Sequence, residues 1–156
     1  MNSYLVLKWL HILSATILFG TGIGIAFFKW ITDRSGDVRA IRIINERTVL
    51  ADWLFTTPAV ILQPATGLGL VYMAGYPLFS GWVFYAIILY LIAGACWLPV
   101  LWLQIRMREL ARTADAENTP LPARYWQYAQ RWFWLGVPAF VALIAVYWLM
   151  VFKPAV

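Results

Sequence analysis

Four long apolar stretches dominate the pattern of hydrophobic and polar positions along the chain. A helix that crosses a bilayer needs about 20 mostly apolar residues. The stretches at about 4–31, 53–74, 81–105 and 132–152 meet this requirement. The second and third contain no charged side chain. The pattern therefore predicts an all-α integral membrane protein, a single domain over 1–156, with four transmembrane helices and the lipid bilayer as its partner.

Three polar connectors separate the four spans. In the first, residues 38–50 mix apolar and charged positions at roughly helical spacing, which predicts a short interfacial helix or an extension of the second span. The second, around 75–81, is a short turn rich in Gly and Pro, and the third, 113–122, is the most polar stretch. Short connectors favour antiparallel neighbours. The expected fold is therefore an up-down-up-down four-helix bundle with a short cytoplasmic interfacial helix between helices 1 and 2.

Basic residues are concentrated at two of these connectors. Ten of the 12 lysine and arginine residues lie at the first and third connectors, and the second has none. Loops rich in Lys and Arg stay in the cytoplasm. We therefore expect both of these connectors to be cytoplasmic and both termini to lie on the outer side of the membrane.

Composition supports this interpretation and excludes several classes of protein. Hydrophobic residues make up 63% of the chain and charged residues only 12%, whereas soluble domains have about 45–50% and 25%. A disordered chain, a disulfide scaffold and an ordinary cytosolic enzyme are thereby excluded. Cys96 is the single cysteine and forms no intrachain disulfide. Topology and lipid headgroups account for the net charge of +5, so we expect no nucleic-acid partner.

His11, the one histidine of the chain, lies within the first span. At about 100° per residue it shares a helix face with Ser14, Ala15, Leu18 and Gly22. Because small residues of this kind pack against other helices, His11 should point into the bundle. An imidazole there ligates haem iron, relays protons or makes a structural hydrogen bond, and the residues leave these alternatives open.

Lys8 lies one turn from His11, towards the outer end of the first span. Its ammonium group either snorkels to the membrane surface or pairs with an anionic group of a ligand, such as a carboxylate. Gly67 and Gly69 of the second span lie at nearly the depth of His11. Without side chains, they are expected to leave room for a flat ring.

A polar stripe runs along the second span. Asp52, Thr56, Gln63 and Gly67 lie within about 40° of one another on a helix. Because polar side chains are costly in lipid, we expect this stripe to face the bundle and His11. It either makes interhelical hydrogen bonds or lines a polar or ligand-filled cavity.

A pair of small residues marks the opposite face of the first span. Gly20 and Gly24 are spaced four residues apart, which lets helix backbones approach closely. We expect a contact there, either in a homodimer or with a partner in a membrane complex.

The whole chain resembles an uncharacterised family of bacterial four-helix integral membrane proteins, domain of unknown function 2269. The resemblance rests on LVLKWLHILSATILFGTG at 5–22, ADWLFTTPAVILQPATGLGL at 51–70 and ACWLPVLWLQIRM at 95–107. It implies a multi-pass protein of the bacterial inner membrane and carries no activity with it.

Shorter motifs resemble the HemJ-type protoporphyrinogen oxidases, which are membrane bundles that bind haem. The matching residues are Lys8-Trp9-Leu10-His11 for a first-helix K-x-x-H, Thr56-Thr57-Pro58 with the later Gly67-Leu68, and Trp82 at the start of the third span. This resemblance implies that His11 is the axial ligand of a b-type haem. The remaining cofactor-binding residues would then be Lys8, Gly67 and Gly69.

Two positions depart from the HemJ-type pattern. Ala86 stands where that family has a key lysine, and Ala59 stands where it has a glycine. The resemblance therefore extends to a tetrapyrrole site rather than to the oxidase reaction, and it leaves open whether the protein is an enzyme.

Two functions follow from the sequence. The first is a membrane protein that binds a b-type haem or other tetrapyrrole in the outer half of the bundle for redox chemistry or electron transfer. The second is a non-enzymatic membrane module, either a small transporter-like cavity protein or a stabilising subunit of a membrane complex. The chain has no phosphate-binding glycine loop and no Ser/His/Asp set, which argues against a nucleotide enzyme or a hydrolase.

Overall fold

The computed structural model describes residues 2–79 and 81–154, which form long helices joined by short turns and include no strand. The helices are α1 (Ser3–Asp33), α2 (Val38–Ala51), α3 (Thr57–Ala74), α4 (Gly81–Ala116) and α5 (Ala123–Phe152). A π-helical turn, Asp52–Thr56, joins α2 directly to α3. The predicted all-α architecture is confirmed.

Four continuous helical stretches are long and apolar enough to cross a membrane. They are Ser3–Asp33, Val38–Ala74, Gly81–Ala116 and Ala123–Phe152. Large apolar side chains face outwards on all of them; Trp9 is 62% exposed and Leu91 is 65% exposed. An outer surface of this kind is stable where lipid tails, not water, surround it.

The helices extend beyond the predicted spans at one end of the bundle. α4 continues to Ala116 and α5 begins at Ala123, and the segment from Val38 is an extension of the second span rather than a separate interfacial helix. Hydropathy marks the edge of the bilayer and not the end of a helix. Ion pairs hold the polar extensions together: Arg42 Nε lies 2.6 Å from Asp115, and Arg112 Nε lies 2.7 Å from Glu46.

Pro58 accounts for the π-helical turn. A proline ring inside a helix clashes with the carbonyl group four residues earlier and offers no N–H donor. That carbonyl belongs to residue 54, at the centre of the turn. The helix widens there, and the N–H of Thr57 donates to the carbonyl of Asp52, five residues back.

The helices pack as two pairs that are joined near one end. α1 packs on α3, α4 packs on α5, and α2 connects the pairs by packing on α4. The main apolar core lies between α2, α4 and α5. Its buried members are Ile41, Val100, Leu103, Met107, Ala111, Tyr125, Tyr128 and Trp132.

The two ends of the bundle have different chemistry. At the basic end, which carries the α1–α2 and α4–α5 connectors, Lys29 Nζ donates to the hydroxyl of Tyr125 over 3.0 Å. At the terminal end, the ammonium group of Lys153 lies over the rings of Tyr76 and Trp82. An up-down-up-down path would bring the α1–α2 and α4–α5 connectors to one end and the α3–α4 connector and Lys153 to the other, as these contacts do. That path and the side of the membrane on which each end lies stay predictions.

Candidate functional site

His11 is buried between α1 and α3, and both of its ring nitrogens are hydrogen-bonded. Nδ1 lies 2.9 Å from Oγ1 of Thr66, and Nε2 lies 3.2 Å from Nε2 of Gln63. Ser14, one turn along α1, donates to Oε1 of Gln63. We call His11, Ser14, Gln63 and Thr66 the His11 cluster.

The orientation of the Gln63 amide sets the direction of the hydrogen bonds in this cluster. An amide nitrogen donates and cannot accept. With Gln63 oriented to accept from Ser14, its Nε2 donates to His11 Nε2, so the ring proton is on Nδ1 and is donated to Thr66. The Thr66 hydroxyl in turn donates to the carbonyl of Leu62 over 2.6 Å. In this orientation His11 is a neutral imidazole in a chain of hydrogen bonds that begins at Ser14.

The two glycines at the depth of His11 make room for protein side chains rather than for a flat ligand. A Cβ on Gly67 would lie 3.1 Å from Cε1 of His11, and a Cβ on Gly69 would lie 2.7 Å from Cδ2 of Leu7. The space that they provide is thus filled by His11 and Leu7.

This arrangement does not fit a haem. Iron could bind His11 Nε2 only if the contact between this nitrogen and Gln63 were broken. The space that Gly67 provides is occupied by the imidazole itself. A groove of about 440 Å³ lies elsewhere in the described residues. Its lining residues are Pro99, Trp102, Leu103, Arg131, Trp134 and Leu135.

Three other predicted residues of α1 lie away from the His11 cluster. Lys8 is exposed, in keeping with the snorkelling alternative. A Cβ built on Gly20 or Gly24 would meet no atom within 4 Å. The face that these two glycines form is therefore open.

The polar stripe divides between two sites. Asp52, Thr56 and Gln63 are all buried. Gln63 contacts His11, whereas the carboxylate of Asp52 lies beside the side chains of Thr56 and Gln104, nearer the basic end. We call Thr48, Asp52, Thr56 and Gln104 the Asp52 cluster.

Side-chain oxygens of the Asp52 cluster are left without partners. Among the described residues, four of its buried oxygens have no hydrogen bond: Thr48 Oγ1, Asp52 Oδ2, Thr56 Oγ1 and Gln104 Oε1. Unpaired buried polar atoms are rare in native proteins and each costs about 1–3 kcal/mol. Unpaired buried oxygens of this kind are typical of a binding site.

A third cluster of polar side chains lies at the basic end. Lys29 is fully buried, and its ammonium group lies 2.7 Å from Oδ2 of Asp33. The hydroxyl of Tyr125 donates to Oδ1 of Asp33 and accepts from Lys29 and Asn45. The positive charge of Lys29 is therefore neutralised locally by Asp33, one turn along α1.

The comparison with protein families now decides what kind of protein this is. Residues 5–154 match the model of the family described as predicted integral membrane protein, DUF2269. The chain belongs to the DUF2269 family. Comparisons with curated proteins and with solved structures gave no match. DUF2269 membership establishes an integral membrane protein and brings no activity with it, so the HemJ-type resemblance stays a prediction.

Sequence reasoning did not assign Thr66, Gln104, Lys29, Asn45 or Tyr125 to a site. Helical spacing marks three residues on the stripe. Steps of three or four residues along the same helix face lead from Asp52 and Gln63 to Asn45, Thr48 and Thr66. No local signal marks Tyr125, whose partners lie far away along the chain. Among the described residues there is no group of three or more His, Cys, Asp or Glu side chains that could hold a metal ion.

Proposed function

We propose that this DUF2269 protein is a transport module that passes a small monovalent cation, a metal ion or a proton, across the membrane. One observation carries the proposal: a single helical stretch buries a row of polar residues along its length. They are Asn45, Thr48, Asp52, Thr56, Gln63 and Thr66. At 1.5 Å per residue this row is about 30 Å long; it begins in the polar extension at the basic end and runs into the apolar span as far as Thr66.

Polar side chains from the other helices complete the row. His11 and Ser14 face it from α1, Gln104 from α4, and Tyr125 from α5. Ionisable residues buried inside a membrane, such as Asp52 and His11, mark pathways for ions and protons. The row combines hydrogen-bonded groups and unpaired oxygens, both of which a passing cation uses.

Flux through liposomes tests this function. The purified protein is reconstituted into vesicles under a K⁺ potential set by valinomycin, with trapped dyes reporting Na⁺ and H⁺. We expect ion movement that depends on the protein and falls at least about tenfold in Gln63→Leu, because an apolar side chain interrupts the row.

Thr16→Val is the matched control for this flux experiment. Thr16 is a polar residue of α1 that lies on the exposed surface, where its hydroxyl donates to the carbonyl of Ile12. Its flux should equal that of the unmodified protein. If vesicles with protein pass neither ion faster than empty vesicles, the transport function is wrong.

Haem binding stays a prediction of the sequence, and the geometry of His11 and Gly67 argues against it. An absorbance spectrum of protein produced with ample haem is the direct test. A Soret band that is lost in His11→Ala would support a haem and would require Gln63 to release the ring.

A subunit function is favoured by one further observation. The face of Gly20 and Gly24 is open, and close packing of a second helix would fill it. The partner is a second copy of the chain or another membrane protein. Crosslinking from a cysteine placed at residue 20 distinguishes the two by the mass of the product.

A further inference from the structure

Asp52, Thr56 and Gln104 place their side chains together at the widened turn of the α2–α3 helix. Asp52 begins the π-helical turn and Thr56 ends it, while Gln104 approaches from α4. Each side chain belongs to a residue that is at least 96% buried. π-helical turns occur frequently at functional sites, because the wider turn redirects side chains.

The threonines of this cluster behave unlike other helical threonines of the chain. The hydroxyls of Thr16, Thr32, Thr66 and Thr113 donate to the carbonyl four residues earlier. Those of Thr48 and Thr56 do not: Thr48 Oγ1 has no partner within the described residues, and Thr56 lies beside the carboxylate of Asp52. Because a helical threonine normally bonds its own helix in this way, both hydroxyls keep lone pairs that a ligand can use.

All four unpaired atoms of the Asp52 cluster are oxygens, and none of the described cationic side chains forms an ion pair with Asp52. Arg108, one turn along α4 from Gln104, has a buried Nε without a partner but makes no salt bridge to Asp52. A proton on Asp52 would satisfy one or two of the four oxygens. A metal cation accepts lone pairs from several of them at once.

The donor set favours a singly charged ion. Calcium sites combine six to eight oxygen ligands and usually several carboxylates, and magnesium demands near-ideal octahedral geometry and keeps several waters. Here one carboxylate balances one positive charge, and the other donors are neutral hydroxyl and amide oxygens. These hard donors suit an alkali metal ion rather than a transition metal.

We propose that Asp52, Thr56 and Gln104 bind a monovalent metal cation of the sodium class, with Thr48 at its edge, an inference that rests on the proposed transport function and names its ion. The ion neutralises the buried carboxylate and occupies the oxygens that the protein leaves unpaired. The site lies between the basic end and the His11 cluster.

Sodium binding to the purified protein in detergent tests the proposal without any flux. Thermal unfolding is recorded in NaCl and in choline chloride at equal ionic strength, and ²²Na⁺ binding is measured by scintillation proximity. For a dissociation constant of about 1 mM, roughly 100 mM Na⁺ raises Tm by about 5 °C. Choline, which is too large for the site, should give no increase.

Two variants and one control locate the ion. Asp52→Asn removes the charge without changing shape and should abolish both the Tm increase and ²²Na⁺ binding. Thr56→Val keeps the carboxylate, removes one oxygen and should weaken binding about tenfold. Asp115→Asn removes a carboxylate that pairs with Arg42 at the basic end, so its sodium response should be unchanged.

The outcomes separate this inference from the transport function. Equal effects of NaCl and choline chloride on the unmodified protein would overturn the site, as would sodium binding that survives in Asp52→Asn or is equally strong in Thr56→Val. If Asp52→Asn does not fold, the Thr56→Val comparison decides. Sodium binding without flux supports the site and contradicts transport, whereas flux without sodium binding does the reverse.

Discussion

The His11 cluster and the Asp52 cluster are buried to a similar degree and share the Val38–Ala74 helical stretch, yet they differ in how their polar atoms are paired. Both ring nitrogens of His11 and both polar atoms of the Gln63 amide have partners. In the Asp52 cluster, four buried oxygens have none among the described residues. Burial alone therefore does not tell the two clusters apart, whereas pairing does.

The pairing of His11 agrees with the structural hydrogen bond, one of the three alternatives that the sequence left open for this residue. A lone histidine at membrane depth is the more conspicuous feature, but its hydrogen bonds are complete and it holds α1 to α3. The less conspicuous Asp52 retains unused acceptors. Substitutions should therefore cost stability in the first cluster and little or nothing in the second.

The largest effect is expected for His11→Ala. The substitution leaves a cavity and removes the partner of both Gln63 and Thr66, so we expect a loss of about 3–4 kcal/mol in the free energy of unfolding. Unfolding in mixed micelles measures it. Ile12→Ala, on the exposed surface next to His11, is the control and should cost less than about 1 kcal/mol. Equal losses would mean that the hydrogen bonds of His11 contribute nothing.

An identical substitution in each cluster gives the sharpest comparison. Thr66→Val removes the acceptor for His11 Nδ1 and should cost about 1–2 kcal/mol. Thr56→Val removes a hydroxyl that lies beside the Asp52 carboxylate and does not bond the carbonyl four residues back, so in sodium-free buffer the free energy of unfolding should change by less than about 1 kcal/mol. The comparison fails if Thr56→Val is the more destabilising of the two.

The smallest effect concerns the fit of the His11 ring. Ala is better than Gly in a helix by about 1 kcal/mol. At Gly94 an added Cβ meets no atom within 4 Å, so Gly94→Ala should gain most of this. At Gly67 the Cβ lies 3.1 Å from a ring that is held at both nitrogens, so Gly67→Ala should gain roughly 1 kcal/mol less. A similar gain at both positions, measured by the same unfolding assay, would show that the ring moves freely.

The number of spans and the inward direction of His11 follow from the sequence because both depend on local periodicity. Runs of apolar residues identify the spans, and the 3.6-residue repeat places Gln63 on the buried face with Asp52 and Thr56. Apolar runs do not show how far α4 continues beyond its span, because its polar extension is held by Arg42 and by Arg112, which pair with residues distant along the chain.

The partners of each polar group could not be predicted. Whether Gln63 meets His11, and whether Asp52 meets Gln104, depends on the rotation and axial offset of whole helices. The same offset decides that Gly67 receives the His11 ring. Pro58 signals a disturbance of the helix but not the form that it takes.

The π-helical turn also has a consequence for changes in chain length. A π turn holds one residue more than an α turn, so losing one residue between Asp52 and Thr56 converts it to α-helix and leaves the flanking faces aligned. A deletion elsewhere between Val38 and Ala74 rotates the helix beyond it by about 100° and turns its buried row towards lipid. The turn is therefore the place in this helix where natural insertion or deletion of one residue is compatible with the rest of the fold.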